Sequence, residues 1–221
     1  MNVNKKIFID AGANKGQSLK AFRRMREDSD SFVIHCFEPT KGSFERIENY
    51  VNSVKETVRI NAHRKAVWIK DEKLTFYVKN SFSEGNTLIK DKASSSWQSL
   101  IVEGLDFSKW LSKNVSKDDY CILKMDIEGA EYEVIDHMNE TGAIELIDEL
   151  YLEVHGLKCN KSFEDSMSML QIVTDNGLVP YIWCADEIEK DKPLEAYNEE
   201  KMRLFYESWK KRGFKLKQKG K

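Results

Sequence analysis

The chain has 221 residues, of which 41% are hydrophobic and 33% are charged, and its formal net charge at pH 7 is -2. Its five Trp, eight Tyr and eleven Phe exclude large-scale disorder, since they supply enough apolar surface for a sizeable core. The nearly balanced charge gives no overall electrostatic case for nucleic-acid binding. No apolar run reaches the length of a membrane span, and MNVNKKIFID meets an acid too early for a signal peptide. We therefore expect a cytoplasmic protein with no membrane partner.

The first half of the chain alternates between predicted strands and helices. Short apolar runs predict strands, and apolar residues that recur every three or four positions predict helices. The strands are expected at 7–10, 32–37 and 57–62, with helical stripes at Leu19, Phe22, Met25 and at Phe44, Ile47, Val51.

The middle of the chain is different in character. Two apolar runs, 66–69 and 74–78, flank a polar turn and predict a β-hairpin. The polar, serine-rich segment 80–96 predicts a surface loop, and 105–111 predicts a short helical or turn segment. We therefore expect an insertion between the strand–helix units.

The second half returns to the strand–helix pattern. It predicts strands at 120–125, 150–154 and 179–184, and helices ended by Gly142 and by Asn176-Gly177. Repeated units of this kind predict an α/β fold, Rossmann-like and doubly wound, with a mostly parallel sheet, helices on both faces and the inserted β-hairpin. We expect one domain over 1–221, whose last residues, 210–221, form a basic tail.

The four cysteines restrict the kind of protein further. They form no C-x-x-C pair, and two of them, Cys36 and Cys121, lie in apolar runs, as reduced core residues do. Cys159 and Cys184 complete the set. The sequence therefore predicts neither a disulfide framework nor a zinc site.

Acidic side chains stand at the predicted strand ends, where ligands of open parallel sheets bind. The first end carries the glycine turn DAGANKGQ, and the four ends together present Asp10, Glu38, Asp126, Glu128, Glu153 and His155. Glycines in such a turn let the backbone approach a ligand closely. The surrounding acids make a poor cradle for phosphate and a good one for hydroxyls and a cation.

Other nucleotide sites are excluded by their motifs. The turn has Asn14 where a dinucleotide motif needs its second glycine, and no G-K-[ST] sequence occurs. Glu38 follows Asp10 by 28 residues, a spacing at which an acid accepts hydrogen bonds from ribose hydroxyls. The remaining candidate is an adenosine compound that lacks phosphates and is positively charged, S-adenosylmethionine.

Four segments, IDAGANKGQS, CFEP, LKMDIEGAE and ELYLEVHG, resemble the FkbM-type methyltransferases. The resemblance spans residues 7–156, includes AVW at 66–68, and implies an S-adenosylmethionine-dependent O-methyltransferase of the Rossmann-like class. It implies that the glycine turn lines the methionine moiety, Glu38 holds the ribose, and Asp126 lies near the sulfonium or the acceptor. The cofactor-binding set is then Asp10, Gly12, Ala13, Asn14, Gly16, Gln17, Glu38, Pro39, Ala66, Val67 and Asp126.

Methyl transfer to a hydroxyl is helped by a base within hydrogen-bond reach. We predict His155 as the leading base, because the intrinsic pKa of histidine lies near neutrality, and Asp126 as the second candidate. Glu153 shares a strand face with His155 and is expected to orient the imidazole or bind acceptor hydroxyls. Lys124 is expected to neutralise the acids. We assign no metal ligands, although Asp126, Glu153 and His155 carry donors that suit Mg²⁺ or Mn²⁺, so a divalent metal stays an alternative.

Structural interpretations of the same residues stay open at this point. Asp10 and Gly12 could form only a strand-to-helix turn, and Glu128 and Glu131 could be acids favoured at a helix start. His155 could be satisfied by a backbone carbonyl. Each of these interpretations predicts partners that a structure reveals.

We expect transfer of a methyl group to a sugar or other small-molecule hydroxyl, with a small molecule or glycan as partner rather than nucleic acid. One alternative is ribose 2′-O-methylation of RNA, with the basic tail contacting phosphates. Another is a non-catalytic nucleoside-binding protein. The sequence leaves the acceptor and the oligomeric state open.

Overall fold

A computed structural model describes residues 4–54, 57–80 and 82–182. The predicted tail at 210–221, Cys184 and the last two residues of the strand predicted at 179–184 lie outside the described residues. The strands are β1 Lys6–Ala11, β2 Phe32–Phe37, β3 Arg59–His63, β4 Ala66–Trp68, β5 Lys73–Val78, β6 Gln98–Asp106, β7 Tyr120–Met125, β8 Glu149–Leu152 and β9 Pro180–Ile182. The α-helices are α1 Gln17–Met25, α2 Lys41–Val54, α3 Phe107–Asn114, α4 Glu131–Glu140 and α5 Phe163–Asp175.

Within the described residues, six strands form a parallel sheet in the order β3-β2-β1-β7-β8-β9. The chain moves outward from β1 to β3, then returns to the other side of β1 and moves outward again from β7. The point of reversal therefore lies between β1 and β7, where open sheets of this kind bind ligands beyond the strand ends. The predicted α/β, mostly parallel fold is confirmed.

Two apolar layers cover the two faces of this sheet. Because side chains alternate along a strand, Ile7 and Ile9 of β1 pack on one face and Phe8 on the other. Phe8 stacks on Phe22 of α1 with ring centroids 3.9 Å apart. The opposite layer includes buried residues of α3, α4 and α5, such as Leu111. Helices thus lie on both faces, as the apolar stripes predicted.

The predicted pairing of the two middle strands is wrong. Both β4 and β5 exist, but β6 lies between them in a second sheet of order β4-β6-β5. It runs parallel to β4 and antiparallel to β5. The exposed first half of β6 carries no clear alternation, which is why its sequence gave no strand signal. Gly104 of β6 donates to the Glu72 carbonyl at 2.7 Å, and a Cβ at this position would meet Leu74 Cδ1 at 2.6 Å.

The segment predicted as a surface loop, 80–96, is partly buried. Thr87 exchanges two backbone hydrogen bonds with Tyr77, and its hydroxyl donates to the Glu128 carbonyl at 2.6 Å. Asn86 is also buried and holds the loop by bonds to Lys79 and Asn80. The loop is therefore fastened against the turn that follows β7.

Among the described residues, Cys36, Cys121 and Cys159 are buried, and the first two have the core positions that their apolar runs predicted. No helix in the described part of the chain combines the length and apolar character that a membrane crossing requires.

Candidate active site

A cavity of about 380 Å³ opens at the carboxyl ends of the strands, beside the point of reversal between β1 and β7. Most of the predicted cofactor residues line it, and they are Gly12, Ala13, Asn14, Gln17, Glu38, Pro39, Ala66, Val67 and Asp126. Asp10 and Gly16 are not among the lining residues. Asp10 is buried beneath the cavity and Gly16 shapes the start of α1. The predicted set is thus brought together in space, with two members in supporting positions.

The glycine turn brings the ends of β1 and β7 into contact. Gly12 has a φ of 81°, and a Cβ placed on it would lie 1.8 Å from the Asp126 carbonyl oxygen. The amides of Gly12 and Ala13 donate to the Phe37 carbonyl at 3.1 and 2.9 Å. Only glycine fits this position, so the turn fixes the spacing of three strand ends at the cavity.

A buried ion cluster lies under this turn. Lys124 faces Asp10 across the register of β7 and β1, and its ammonium lies 3.2 Å from Asp10 Oδ1 and 3.2 Å from Asp126 Oδ2. It also donates to the Gly12 carbonyl at 3.0 Å. Burial by itself lowers the pKa of Lys124, but the two carboxylates outweigh burial and raise it, so the side chain stays charged. The predicted neutralising role of Lys124 is confirmed, and Asp10 belongs to this structural cluster.

Glu38 lines the cavity directly after β2 and is 7% exposed. One oxygen accepts from the Thr40 amide at 2.8 Å and from the Thr40 hydroxyl, and the other accepts from the Asn14 amide at 3.0 Å. Burial raises the pKa of Glu38, and these hydrogen bonds act in the opposite direction. The carboxylate is therefore held rigidly at the cavity wall.

The turn after β7 is closed by a glutamate. Glu131 is fully buried at the start of α4 and accepts from the amides of Ile127 and Gly129, both at 2.8 Å. Glu128, between them, has a φ of 58°, a conformation that costs a non-glycine residue about 1–2 kcal/mol. The helix-start interpretation of Glu131 is thus confirmed, and the turn aims the Glu128 side chain into the cavity.

His155 is 3% exposed and lies among carboxylates rather than against a backbone carbonyl. Its Nδ1 is 3.0 Å from Glu131 Oε1. On the other side of the ring, Nε2 faces Glu128 Oε2 at 3.2 Å, Glu153 Oε1 at 3.3 Å and Asp126 Oδ1 at 3.8 Å.

The electrostatics of His155 differ from the prediction. Burial lowers the pKa of the imidazole, but hydrogen bonding to Glu131 and Glu153 and the charges of Glu131 and Asp126 raise it to about 9. The intrinsic pKa of histidine, on which the prediction of a base relied, is therefore shifted upward at this position. His155 also lies behind the cavity wall, whereas Asp126 and Glu153 line it. Its role as the leading base stays a prediction.

Several cavity residues were missed by sequence reasoning, namely Lys65, Glu84, Asn86 and Lys92. Glu84 accepts from Gln17 Nε2 at 2.7 Å and lies 3.2 Å from Lys15 Nζ. These contacts connect the 80–96 loop to the glycine turn. Lys92 contacts the Glu128 carboxylate. A polar loop without periodicity gives no signal for such contacts, because tertiary structure decides which side chains turn inward.

Comparison with known proteins agrees with this geometry. The Methyltransferase FkbM domain matches residues 10–179, which include the glycine turn, Glu38, the Asp126 turn and His155. No curated protein and no solved structure matched the chain in the same comparisons. The match covers well over half of the chain and every element that builds the cavity. The protein therefore belongs to the FkbM methyltransferase family.

Proposed function

We propose that this methyltransferase transfers a methyl group from S-adenosylmethionine to a hydroxyl oxygen of a small molecule or glycan, with a sugar hydroxyl as the preferred acceptor. The observation that carries the proposal is the set of carboxylates on one cavity wall. Glu38, Asp126, Glu128 and Glu153 all line the cavity at the β1–β7 reversal. A wall of this charge favours a ligand with a sulfonium and an ammonium group over one with phosphates.

The rest of the wall fits the other parts of the cofactor. Glu38 offers rigid acceptor oxygens to the ribose hydroxyls, since each carboxylate oxygen can accept more than one hydrogen bond. Ala66, Val67 and Phe76 provide an apolar surface for the adenine. The backbone of the glycine turn would face the methionine moiety of the cofactor. The cavity size lies within the range of small-molecule sites.

The reaction asks little covalent chemistry of the protein. The acceptor oxygen forms a bond to the methyl carbon as the carbon–sulfur bond breaks, the electron pair stays on sulfur to give S-adenosylhomocysteine, and the hydroxyl proton passes to a base. The protein contributes position and a proton acceptor. Asp126 is held by Lys124, whereas the Glu153 side chain is 35% exposed at the cavity, so Glu153 is the proton acceptor we propose.

Ligand-dependent thermal stability tests the cofactor. S-adenosylmethionine and S-adenosylhomocysteine should both raise the Tm, because a ligand that binds only the folded state stabilises it by mass action. No rise at about 1 mM of either compound, a concentration far above a working Kd, would sink the proposal.

Transfer of a labelled methyl group tests the acceptor. We expect label to enter a hydroxyl of a monosaccharide or oligosaccharide in an acceptor screen, and the ether to resist mild acid and base. Glu153→Gln should bind the cofactor as the wild type does and transfer methyl at least about 10²-fold more slowly, the usual contribution of a general base. Label that enters RNA and no sugar would overturn the choice of acceptor.

A further inference from the structure

We infer that Asp126, Glu128, Glu153 and the Nε2 atom of His155 form a site for a divalent cation of the oxygen-preferring kind, Mg²⁺ or Mn²⁺. Asp126 and Glu128 lie in the turn after β7, and Glu153 and His155 lie in the segment after β8. Three of them line the cavity, and His155 closes the site from behind. The site is distinct from the cluster around Lys124, with which it shares only Asp126.

The first reason is an unsatisfied buried nitrogen. His155 is 3% exposed, and its Nε2 faces only carboxylate oxygens, without a well-aligned hydrogen bond within the described part of the chain. The atom points at carboxylate oxygens of Glu128, Glu153 and Asp126, at 3.2, 3.3 and 3.8 Å. Asp126 Oδ1 is also buried and lacks a hydrogen bond to a described residue, whereas Glu128 Oε2 contacts the Lys92 ammonium. Buried polar atoms that converge in this way are the groups that a bound ion satisfies.

The second reason is the spacing of the donors. Metal–ligand bonds of about 2.1 Å at right angles place neighbouring ligand atoms about 3.0 Å apart. Two of the three contacts of Nε2, at 3.2 and 3.3 Å, are only slightly longer than this, and the third, to Asp126, is 3.8 Å. One imidazole nitrogen with carboxylate oxygens is a donor set that Mg²⁺ or Mn²⁺ accepts.

The third reason is the partner on the far side of the ring. Asp126, Glu131 and His155 offer atoms within 4.8 Å of one another, but the Glu131 oxygens accept from the Ile127 and Gly129 amides, and Oε1 faces Nδ1 at 3.0 Å. A carboxylate in that position holds the proton on Nδ1 and turns the lone pair of Nε2 toward the ion, as it does behind many metal-bound histidines. Glu131 is therefore the orienting residue.

The fourth reason is charge balance. Five negative and two positive side chains meet here, namely Asp10, Asp126, Glu128, Glu131, Glu153, Lys92 and Lys124. In the metal-bound state, in which Nε2 carries no proton, three negative charges remain over this set of described residues. A divalent cation together with the net single positive charge of S-adenosylmethionine would neutralise them. Buried charge without compensation opposes folding, so the site favours cations.

The cation would have a use in the reaction. It would lie between Asp126 and Glu153 at the cavity wall, beside the group that the proposed function makes the proton acceptor. An acceptor hydroxyl bound to it would lose its proton more readily, since a cation stabilises the developing alkoxide. This use depends on the proposed function, whereas the site itself depends only on the donor geometry.

Manganese binding by the full chain tests the inference. After removal of metals with a chelator, free Mn²⁺ is followed by its electron paramagnetic resonance signal during titration. We expect one equivalent to bind. Asp126→Asn and Glu153→Gln should each weaken binding at least about 10-fold. Asp71→Asn, which changes an exposed carboxylate remote from the cavity, should leave binding unchanged.

Two results would overturn the inference. One is the absence of stoichiometric Mn²⁺ binding in a protein whose Tm still rises with S-adenosylhomocysteine, which would remove the metal site and leave the proposed function standing. The other is equal Mn²⁺ affinity in the wild type and in Glu153→Gln, which would locate the ion elsewhere. Because Glu153 is partly exposed, this variant tests the site even where Asp126→Asn fails to fold.

Discussion

The two charged clusters at the carboxyl ends of the sheet balance their charge differently. Around Lys124, one ammonium lies between Asp10 and Asp126 and also donates to a carbonyl. Around His155, four carboxylates surround one imidazole. With two carboxylates against one ammonium, the first cluster is nearly balanced, whereas the four carboxylates of the second outnumber the imidazole and Lys92 by two. The comparison teaches that a balanced buried cluster supports the fold, whereas an unbalanced one is prepared for a ligand.

The largest effect is expected from Lys124→Met, which removes the cation of the balanced cluster. Asp10 and Asp126 would then face each other without compensation. Loss of one partner from a buried ion pair costs about 3–5 kcal/mol of the free energy of unfolding. Urea denaturation followed by circular dichroism measures this loss.

The matched control for this change is Lys109→Met, which breaks an exposed ion pair with Asp71. Its stability should stay close to that of the wild type, because exposed pairs contribute little. If both lysine variants lost equal stability, the distinction between a structural cluster and surface charge would be wrong.

A smaller but sizeable loss of stability is expected from Gly12→Ala. This change disturbs the contact of the glycine turn with Asp126, the residue that both clusters share. The added Cβ would lie 1.8 Å from the Asp126 carbonyl oxygen, at a φ of 81°. We expect a loss of about 2–4 kcal/mol, from backbone conformation and from overpacking together. Cofactor affinity should fall as well, since the turn lines the cavity.

Gly142→Ala separates the two causes. Gly142 has a similar φ of 73°, but a Cβ there would meet nothing within 4 Å. This variant should lose only the conformational part, about 1–2 kcal/mol, and bind the cofactor normally. Equal losses in the two variants would contradict a steric role for the Asp126 carbonyl.

The sequence predicted the parts of this comparison that depend on local pattern. Periodicity located the strands, and strand ends located Glu38, Asp126 and Glu153, because the carboxyl ends of parallel strands share one edge. It also predicted that Lys124 neutralises acids, since alternation places Lys124 and Asp126 on one face. These inferences need no knowledge of distant contacts.

The parts that failed depend on long-range contacts. The charge of His155 is set by Glu131, which turns inward to accept two amides and so faces the ring. The place of β6 follows from its pairing with both β4 and β5. The 80–96 loop reaches the cavity because the Thr87 hydroxyl donates a hydrogen bond to the Glu128 carbonyl. No window of the sequence contains both partners of these contacts.

A third effect, on binding rather than stability, is expected from Glu38→Gln. Glu38 resembles the balanced cluster in being satisfied by protein donors, yet it lines the cavity. Removing the charge should weaken the binding of S-adenosylhomocysteine about 10-fold, because hydrogen bonds to a charged acceptor are stronger than those to an amide. Isothermal titration calorimetry measures this change.

Glu48→Gln supplies the control, as Glu48 is an exposed residue on α2. It should bind the ligand as the wild type does. Wild-type affinity in Glu38→Gln would mean that Glu38 only fastens the glycine turn, and the ribose would need another partner.

The smallest effect concerns two half-buried histidine rings, His35 and His63, which extends the comparison to neutral groups. His35 Nδ1 lies 3.0 Å from His63 Nε2. Burial and the neighbouring His63 lower the pKa of His35 to about 4, below the value of about 6.5 expected in the unfolded chain. The unfolded state therefore binds more protons between these values, so stability is full above pH 6.5 and falls as the pH drops toward 4.

Because His35 is only partly buried, we expect the loss to be on the order of 1 kcal/mol rather than the full value of the shift. Urea denaturation at pH 7.5 and at pH 4.5 measures it, in the wild type and in His35→Gln. Carboxylates contribute equally to both proteins, so the difference between them isolates the histidine. The variant should lose less stability on acidification, because it has one fewer ring to protonate. The same pH dependence in both proteins would contradict this prediction. It would mean that His35 accepts a proton in the folded state without loss of stability, as the imidazole of His155 does.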